Sequence, residues 1–292
     1  MGQVVEIRPA AEILATHDAN FMLEQLPFMP EMFKYCGRRM NMHRRANRVC
    51  VEGFGLRAMS DTVLLKDARC DGASHDGCQR NCLLLWKAAC LKPALDEVVA
   101  TVSNDSMPNN APHPALAVRT REGNRYVCQS TRLHAATKPL SKLDLSAYFR
   151  EIADGERPLG KFLRIVGVAL ENRVRSLLRM RPKGAVYGQN GRLSKGSKGD
   201  LALRAGEWVE VRTGDELNLT VGPSGRNFGL SFEPDMSSFV GRRFQVDYQI
   251  EKIISETTAE MVNVTNTVAL KDVVCSGLCA KNCPRAQLHF WR

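Results

Sequence analysis

The sequence predicts a mostly β fold with helices (α+β): two tandem small β-barrels, each ending in a cysteine-rich loop, joined by a basic helical connector. Three observations carry this expectation: an internal duplication, short alternating segments between turn residues, and one basic stretch with helical period. The duplication is direct. Gly2-Gln3-Val4-Val5-Glu6-Ile7-Arg8 recurs as Gly206-Glu207-Trp208-Val209-Glu210-Val211-Arg212, an offset of 204 positions. At the same offset Phe28, Pro30 and Met32 fall on Phe232, Pro234 and Met236, and Gly37-Arg38-Arg39 falls on Gly241-Arg242-Arg243. One residue is then inserted in the second copy, after which Cys70, Cys78 and Trp86 meet Cys275, Cys283 and Trp291. Self-similarity at a fixed offset outranks any single motif as a guide to architecture, because each repeat is one packed unit built twice.

Each copy opens with a short strand in which apolar and polar residues alternate, at residues 4–8 and 208–212. Leu-x-Phe-x-Pro-x-Met comes next, with Pro30 or Pro234 near the start of a helical turn, where a missing N–H costs nothing. Gly37 and Gly241 then lead into further strands, clearest in the second copy at 243–248, 251–255, 260–264 and 267–274. Several short strands at such spacing argue for a small antiparallel barrel. The Gly-x-x-Val-x-Val-Arg opening and the Phe-x-Gly-x-x-Phe-x-Val run loosely resemble SH3-like barrels.

After the first cysteine loop a helix is expected from near Asn81 through 92–102, closing a first unit at 1–102. Residues 103–114, rich in Pro and Asn, read as an exposed loop. Residues 115–204 read as a hairpin plus connector: 115–118 and 125–131 flank Glu122-Gly123-Asn124, and 144–153 and 159–180 read as helices. Pro182 stops the second helix, 183–199 is a Gly/Ser/Lys-rich link, and the second repeat occupies 205–292.

The chain has 292 residues, 44% of them apolar and 25% charged, and its net charge is +10. Eleven Lys and Arg between Arg157 and Asp200, against Glu171 and Asp200, supply +9 of that charge. The basic character therefore belongs to residues 157–200, which makes nucleic acid or an anionic membrane surface the expected partner of that segment. No apolar run is long enough for a spanning helix, which needs about 18 or more residues. The first residues lack the basic-then-apolar pattern of a secretory leader. A cytoplasmic address is the expectation.

In a reducing cytosol the ten cysteines read first as metal ligands or redox groups. The first loop spells Cys70-x7-Cys78-x3-Cys82 with His75 inside it, and the second spells Cys275-x3-Cys279-x3-Cys283. Three soft donors in a turn-rich stretch suit zinc or an iron–sulfur cluster and not Mg²⁺ or Ca²⁺. The number of cysteines and the scarcity of supporting histidine favour the cluster. Cys128 is the favoured fourth ligand of the first loop, with His75 and Cys50 as alternatives. Cys36 and Cys90 read as packing thiols, and Trp86 and Trp291 as walls of the site or the core. His17, His43, His113, His134 and His289 show no paired spacing. No nucleophile elbow, P-loop or dinucleotide fingerprint is present.

The stretches Pro27-Phe28-Met29-Pro30-Glu31-Met32-Phe33-Lys34-Tyr35-Cys36-Gly37-Arg38-Arg39, Arg69-Cys70-Asp71-Gly72 with Cys78, Cys82 and Trp86, Tyr126-Val127-Cys128-Gln129, and Cys283-Pro284-Arg285 resemble an uncharacterised bacterial family of two-repeat, cysteine-rich proteins. The resemblance spans nearly the whole chain and implies a shared architecture, without an activity. Relative to the first copy, the second lacks a helix matching 83–91, since Trp291-Arg292 ends the sequence given. The expected function is a metal-binding protein, either a redox enzyme or an accessory to one. The alternatives are a two-barrel nucleic-acid-binding module, or a membrane- or partner-binding scaffold with structural zinc.

Overall fold

Strand outweighs helix, 38% against 20%, and one sheet curls into a half-barrel, so the mostly β expectation holds at that level. The computed structural model describes residues 3–94, 114–140, 159–180, 202–222, 225–227, 229–277 and 282–292. The expected helix over 144–153, most of the 103–114 loop, the 183–199 link and Cys279 lie outside these residues. The chain divides into two compact units, Met1–Leu140 with Ile254–Val262, and Ser141–Ile253 with Asn263–Arg292.

In the first unit the strand Val4–Ile7 alternates as expected: Val5 and Ile7 are buried and Val4 is exposed. It pairs antiparallel with Arg39–Arg45 on one side (Val5 opposite Met40) and with Leu91–Pro93 on the other (Val5 opposite Pro93). Thr62–Arg69 and Leu83–Lys87 extend the sheet to five strands. The register shifts between Met42 and Arg44, and again between Leu64 and Arg69. Such bulges bend a strand and re-aim the residues beyond it. The second one stands just before Cys70, and pairing resumes beyond it with Arg69 opposite Leu83 at the mouth of the cysteine loop.

The helix expected from Asn81 is corrected. Leu83–Lys87 is a strand buried along its whole length, followed by a 3-10 turn at Ala88–Cys90 and the strand Leu91–Pro93. A short continuous apolar run has no period with which to tell a buried strand from a buried helix. The second copy is not short of a helix either: Leu288–Trp291 is a strand in the matching place, pairing Trp291 with Val268 as Trp86 pairs with Val63.

Trp86 is fully buried among Ile7, Ile13, Phe28, Met32, Leu65 and Leu84. Phe28 and Tyr35 meet its ring edge to face, with centroids 6.0 and 6.1 Å away. Trp291 is met in the same manner by the matching rings, Phe232 and Phe239, both at 6.2 Å. Each tryptophan therefore anchors a core and does not line an open site.

A smaller sheet, Lys138–Pro139, Gly55–Ala58 and Arg48–Val51, completes the first unit together with residues 254–262. Within that unit Glu256 accepts the Glu52 N–H at 2.9 Å and the Ser130 hydroxyl at 2.8 Å, and the Ala259 carbonyl accepts the Tyr126 N–H at 2.7 Å. The expected hairpin around Gly123 is present but shorter, Arg121–Glu122 against Arg125–Tyr126. The flanks that read as strand are a 3-10 turn at Pro114–Ala117 and a helix at Gln129–Arg132.

In the second unit the four segments expected as strands between 243 and 274 merge into two long ones, Arg243–Ile254 and Met261–Val274. Trp208–Glu210 and Leu288–Trp291 flank them in a four-stranded sheet over Val211, Val246, Val268, Leu270 and Val273. The helix Gly214–Thr220 begins at Thr213, whose N–H and hydroxyl both reach Glu216, at 2.9 and 2.8 Å. This reciprocal arrangement satisfies donors that a helix start leaves open. Leu159–Leu177 is the one long helix of the described residues.

Candidate metal centre

Both cysteine loops obey one backbone plan. Cys70 donates its N–H to the Cys82 carbonyl at 2.9 Å, and Cys275 donates to the matching Gln287 carbonyl at 2.7 Å. Gly77 closes onto the Gly72 carbonyl at 3.0 Å, as Asn282 closes onto Gly277 at 2.6 Å. Gly72 and Gly277 have φ of +70° and +75°. A Cβ on Gly72 would stand 2.0 Å from the Cys78 carbonyl oxygen, and one on Gly277 would stand 2.2 Å from that of Cys283. Only glycine admits both the left-handed backbone and this approach. The described ends of the Cys-x-Gly-x5-Cys spacing are thus closed alike in both copies.

The first loop brings Cys70 and His75 to Glu31, which is carried by the Pro30–Tyr35 turn. One ligand atom from each of the three lies within 4.8 Å of the others. The side chains of Glu31 and His75 are each 1% exposed. Glu31 Oε1 faces His75 Nδ1 at 2.8 Å and accepts the Ser74 N–H at 3.2 Å. The other carboxylate oxygen, Oε2, is buried with no hydrogen-bond partner. Such an orphan costs about 1–3 kcal/mol or more for a charged group, so the site has an unmet need for a positive or protic partner.

The second nitrogen of the ring, His75 Nε2, donates to the Val127 carbonyl at 3.1 Å. A metal-bound histidine is held in this manner, one nitrogen on the ion and the other N–H on a carbonyl or carboxylate. Burial works against the charge on His75, but the Glu31 hydrogen bond and charge and the Val127 carbonyl outweigh it and raise its pKa. Burial likewise opposes ionisation of Glu31, and the His75 contact and the Ser74 N–H outweigh it and lower its pKa. The pair thus holds a proton where an ion of higher charge could sit. The Cys70 thiol is pushed far up by burial, by the Glu31 charge and by Cys82. An ion bound here displaces that proton.

The other sequence-selected ligands take several different positions. Cys82 and Cys128 lie close enough to Cys70 to raise its pKa further. Cys128 is buried, caps the Gln129–Arg132 helix and packs in the core with Trp86; burial and then Cys82 push it up to about 11 against the Thr131 hydrogen bonds. The Cys78 sulfur accepts the Ile254 N–H at 3.3 Å and packs with Tyr126 and Ile254, and burial, with Cys82 adding to it, raises its pKa. Cys283 is buried beneath Gly277. Cys90 is the packing thiol expected, and Cys36, half-buried, is pushed up to about 11 by burial. Cys50, an alternative ligand, lies half-buried on Arg48–Val51 opposite Leu56. Among the described residues no disulfide joins the cysteines.

In the second copy Cys275 meets His289 and Glu233, again with one ligand atom of each within 4.8 Å of the others. Burial, then Asp235, Glu233 and Cys283, push Cys275 up to about 12. Glu31, Glu233, Asp235 and His289 are the residues of these two groups that the sequence did not single out. One signal was available: an acid stands between Pro and Met in both copies, as Pro30-Glu31-Met32 and Pro234-Asp235-Met236. His289 gave none, because the acids it meets are more than fifty positions upstream.

The donor set mixes carboxylate oxygen, imidazole nitrogen and thiolate sulfur, and these residues fit a borderline divalent ion such as zinc. No family model, curated protein or solved structure matches the chain.

Proposed function

We propose that the chain is a metal-binding protein that holds a zinc-class divalent ion on Glu31, Cys70 and His75, with a fourth position left for water or a further ligand. The observation that supports this most is the buried, unpartnered Glu31 Oε2 beside a histidine already anchored through its other nitrogen. Ligand atoms around tetrahedral zinc stand roughly 3.3–3.8 Å apart, so a trio within 4.8 Å closes on an ion by small side-chain movements. The mixture of donors supports zinc over an iron–sulfur cluster, which is held chiefly by thiolates. In this reading each copy is an SH3-like unit whose last loop carries the ion. Three protein ligands with one open position resemble catalytic zinc sites more than closed structural ones.

Metal analysis and absorbance spectra of protein purified without air test the proposal. Bound zinc in a colourless protein, with one equivalent lost in Glu31→Gln, is the expected result. Iron with sulfide and visible absorbance would replace zinc by a cluster, and metal-free protein that takes up no added zinc would end the metal reading.

A second reading concerns the basic connector. Leu163, Leu170, Val174 and Leu177 recur on one face of the Leu159–Leu177 helix and are 59%, 62%, 48% and 80% exposed. Arg173, Arg175 and Arg179 cluster near its end. We propose that this helix lies on an anionic membrane surface, apolar stripe inward and arginines toward headgroups. Co-sedimentation with phosphatidylserine vesicles, lost in a Leu163→Asp, Leu170→Asp double variant, is expected. Vesicle binding unchanged by the variant would contradict it, and salt-sensitive DNA binding without vesicle binding would assign the segment to nucleic acid.

A further inference from the structure

The second loop reaches the same chemistry with a histidine of different origin. At the offset of 205 that aligns the loops, His75 falls on Ala280 and His289 falls on Leu84, so neither imidazole has a counterpart. His75 comes from within its loop, whereas His289 comes from the closing strand Leu288–Trp291. Both nevertheless end beside the first cysteine of their loop and beside an acid of the Pro-acid-Met turn.

Each ring engages an acid through one nitrogen and a fixed acceptor through the other, but the acid of the Pro-acid-Met turn meets Nδ1 of His75 and Nε2 of His289. His75 turns Nδ1 to Glu31 and anchors Nε2 on the Val127 carbonyl. His289 turns Nδ1 to Glu233 Oε2 at 3.7 Å and anchors Nε2 on Asp235 Oδ2 at 3.3 Å. Asp235 is in turn fixed by Ser276, whose N–H and hydroxyl both reach its carboxylate, at 2.6 and 2.5 Å. A carboxylate that orients a ligating imidazole through its far nitrogen is the usual outer support of a metal site. A buried histidine faced by two acids with a thiol beside them is costly unless something positive joins them. Two unrelated positions each supplying a buried imidazole to a cysteine and a glutamate are hard to account for by packing alone.

The sites differ in access. Glu31 is 1% exposed, whereas the Glu233 side chain is 57% exposed. We propose that Glu233, Cys275 and His289 form a second divalent-metal site of the zinc class, open to solvent at Glu233, with Asp235 as the residue that positions His289. Its ion exchanges with solution while the ion at the first site is retained. The second site stands on its own geometry and does not require the first to be loaded.

Zinc titration and chelator release on the full chain test this. The wild type is expected to bind two equivalents and to release them to a zinc-binding dye in a fast and a slow phase. Cys275→Ser and His289→Gln are expected to abolish the fast phase and one equivalent, and Cys70→Ser to abolish the slow one. The equivalent that survives each substitution reports that the rest of the chain has folded. Glu233→Gln changes only an exposed side chain, so it keeps the test informative if the buried variants do not fold; it is expected to weaken the fast site alone. Two equivalents surviving Cys275→Ser, or a fast phase untouched by Glu233→Gln, would overturn the proposal. A single equivalent lost only in Cys70→Ser would overturn it too, while leaving the first site intact. A fast equivalent that persists when Cys70→Ser removes nothing would instead overturn the first site and uphold this one.

Discussion

Glu31 is the residue on which the proposed metal site turns, and its neighbours could be read from the sequence more easily than it could. Cys70 and His75 were legible because soft donors close together in a Gly-bearing loop point to a metal. Glu31 was not, because a lone acid in a turn is ordinarily solvated; only the fold buries it against a histidine 44 positions away. Cys78 was selected by its spacing, yet its sulfur packs with Tyr126 and with Ile254, 176 positions away. Gly72 and Gly277 give the sharpest test at this scale. Alanine at either position takes on a left-handed backbone, a cost of about 1–2 kcal/mol, plus a clash with the facing carbonyl. Chemical denaturation of Gly72→Ala and Gly277→Ala should show losses at least that large, and an unchanged midpoint would mean that the loops are not folded as described.

Among elements, the opening strands and the Pro-led turns were legible because their periods and punctuation are local. The strand Leu83–Lys87 was not, since four apolar residues in a row fit a helix and a strand equally. Its place is fixed by distant partners. Gln129 lays its side-chain amide along this strand, accepting the Leu85 N–H and donating to the Leu85 carbonyl, both at 2.8 Å, and to the Pro27 carbonyl at 3.1 Å. Gln129→Ala leaves these buried backbone groups unsatisfied and should cost on the order of 3 kcal/mol in denaturant unfolding. Leu84→Ala opens a cavity beside Trp86 and should cost about 2–5 kcal/mol. A value near zero for either would remove the strand from the core. Ion pairing on the opening strand is likewise set by neighbours: Arg8 reaches Glu12 at 2.9 Å, and Glu6 meets Lys92 at 3.0 Å and Arg39 at 3.6 Å.

At the scale of the molecule, the duplication was the most legible feature, and the backbone repeats it in detail. Positive φ recurs at Asp67 and Asp272 and at Gly37 and Gly241, besides the loop glycines. What the copies do with one framework differs: the first buries its acid and its histidine, and the second leaves one acid largely exposed. Nothing local in residues 254–262 says that they belong to the first unit, since their partners Glu52, Cys78 and Ser130 are all more than a hundred positions away. Metal loading should stabilise the fold, because an ion bound only by the folded chain adds about 2.7 kcal/mol when its concentration is a hundred times its dissociation constant. At about 2–4 °C per kcal/mol, chelation should lower the melting temperature by roughly 5–10 °C, and zinc should restore it. The most direct test of the mixed-donor site is X-ray absorption at the zinc edge of the loaded protein. One sulfur at about 2.3 Å with two or three nitrogen and oxygen neighbours at about 2.0–2.2 Å is the expected shell, the same for both loops. A shell of three or four sulfurs would contradict the account, because it would place the ion among the cysteines and leave Glu31 and His75 as an ordinary buried pair.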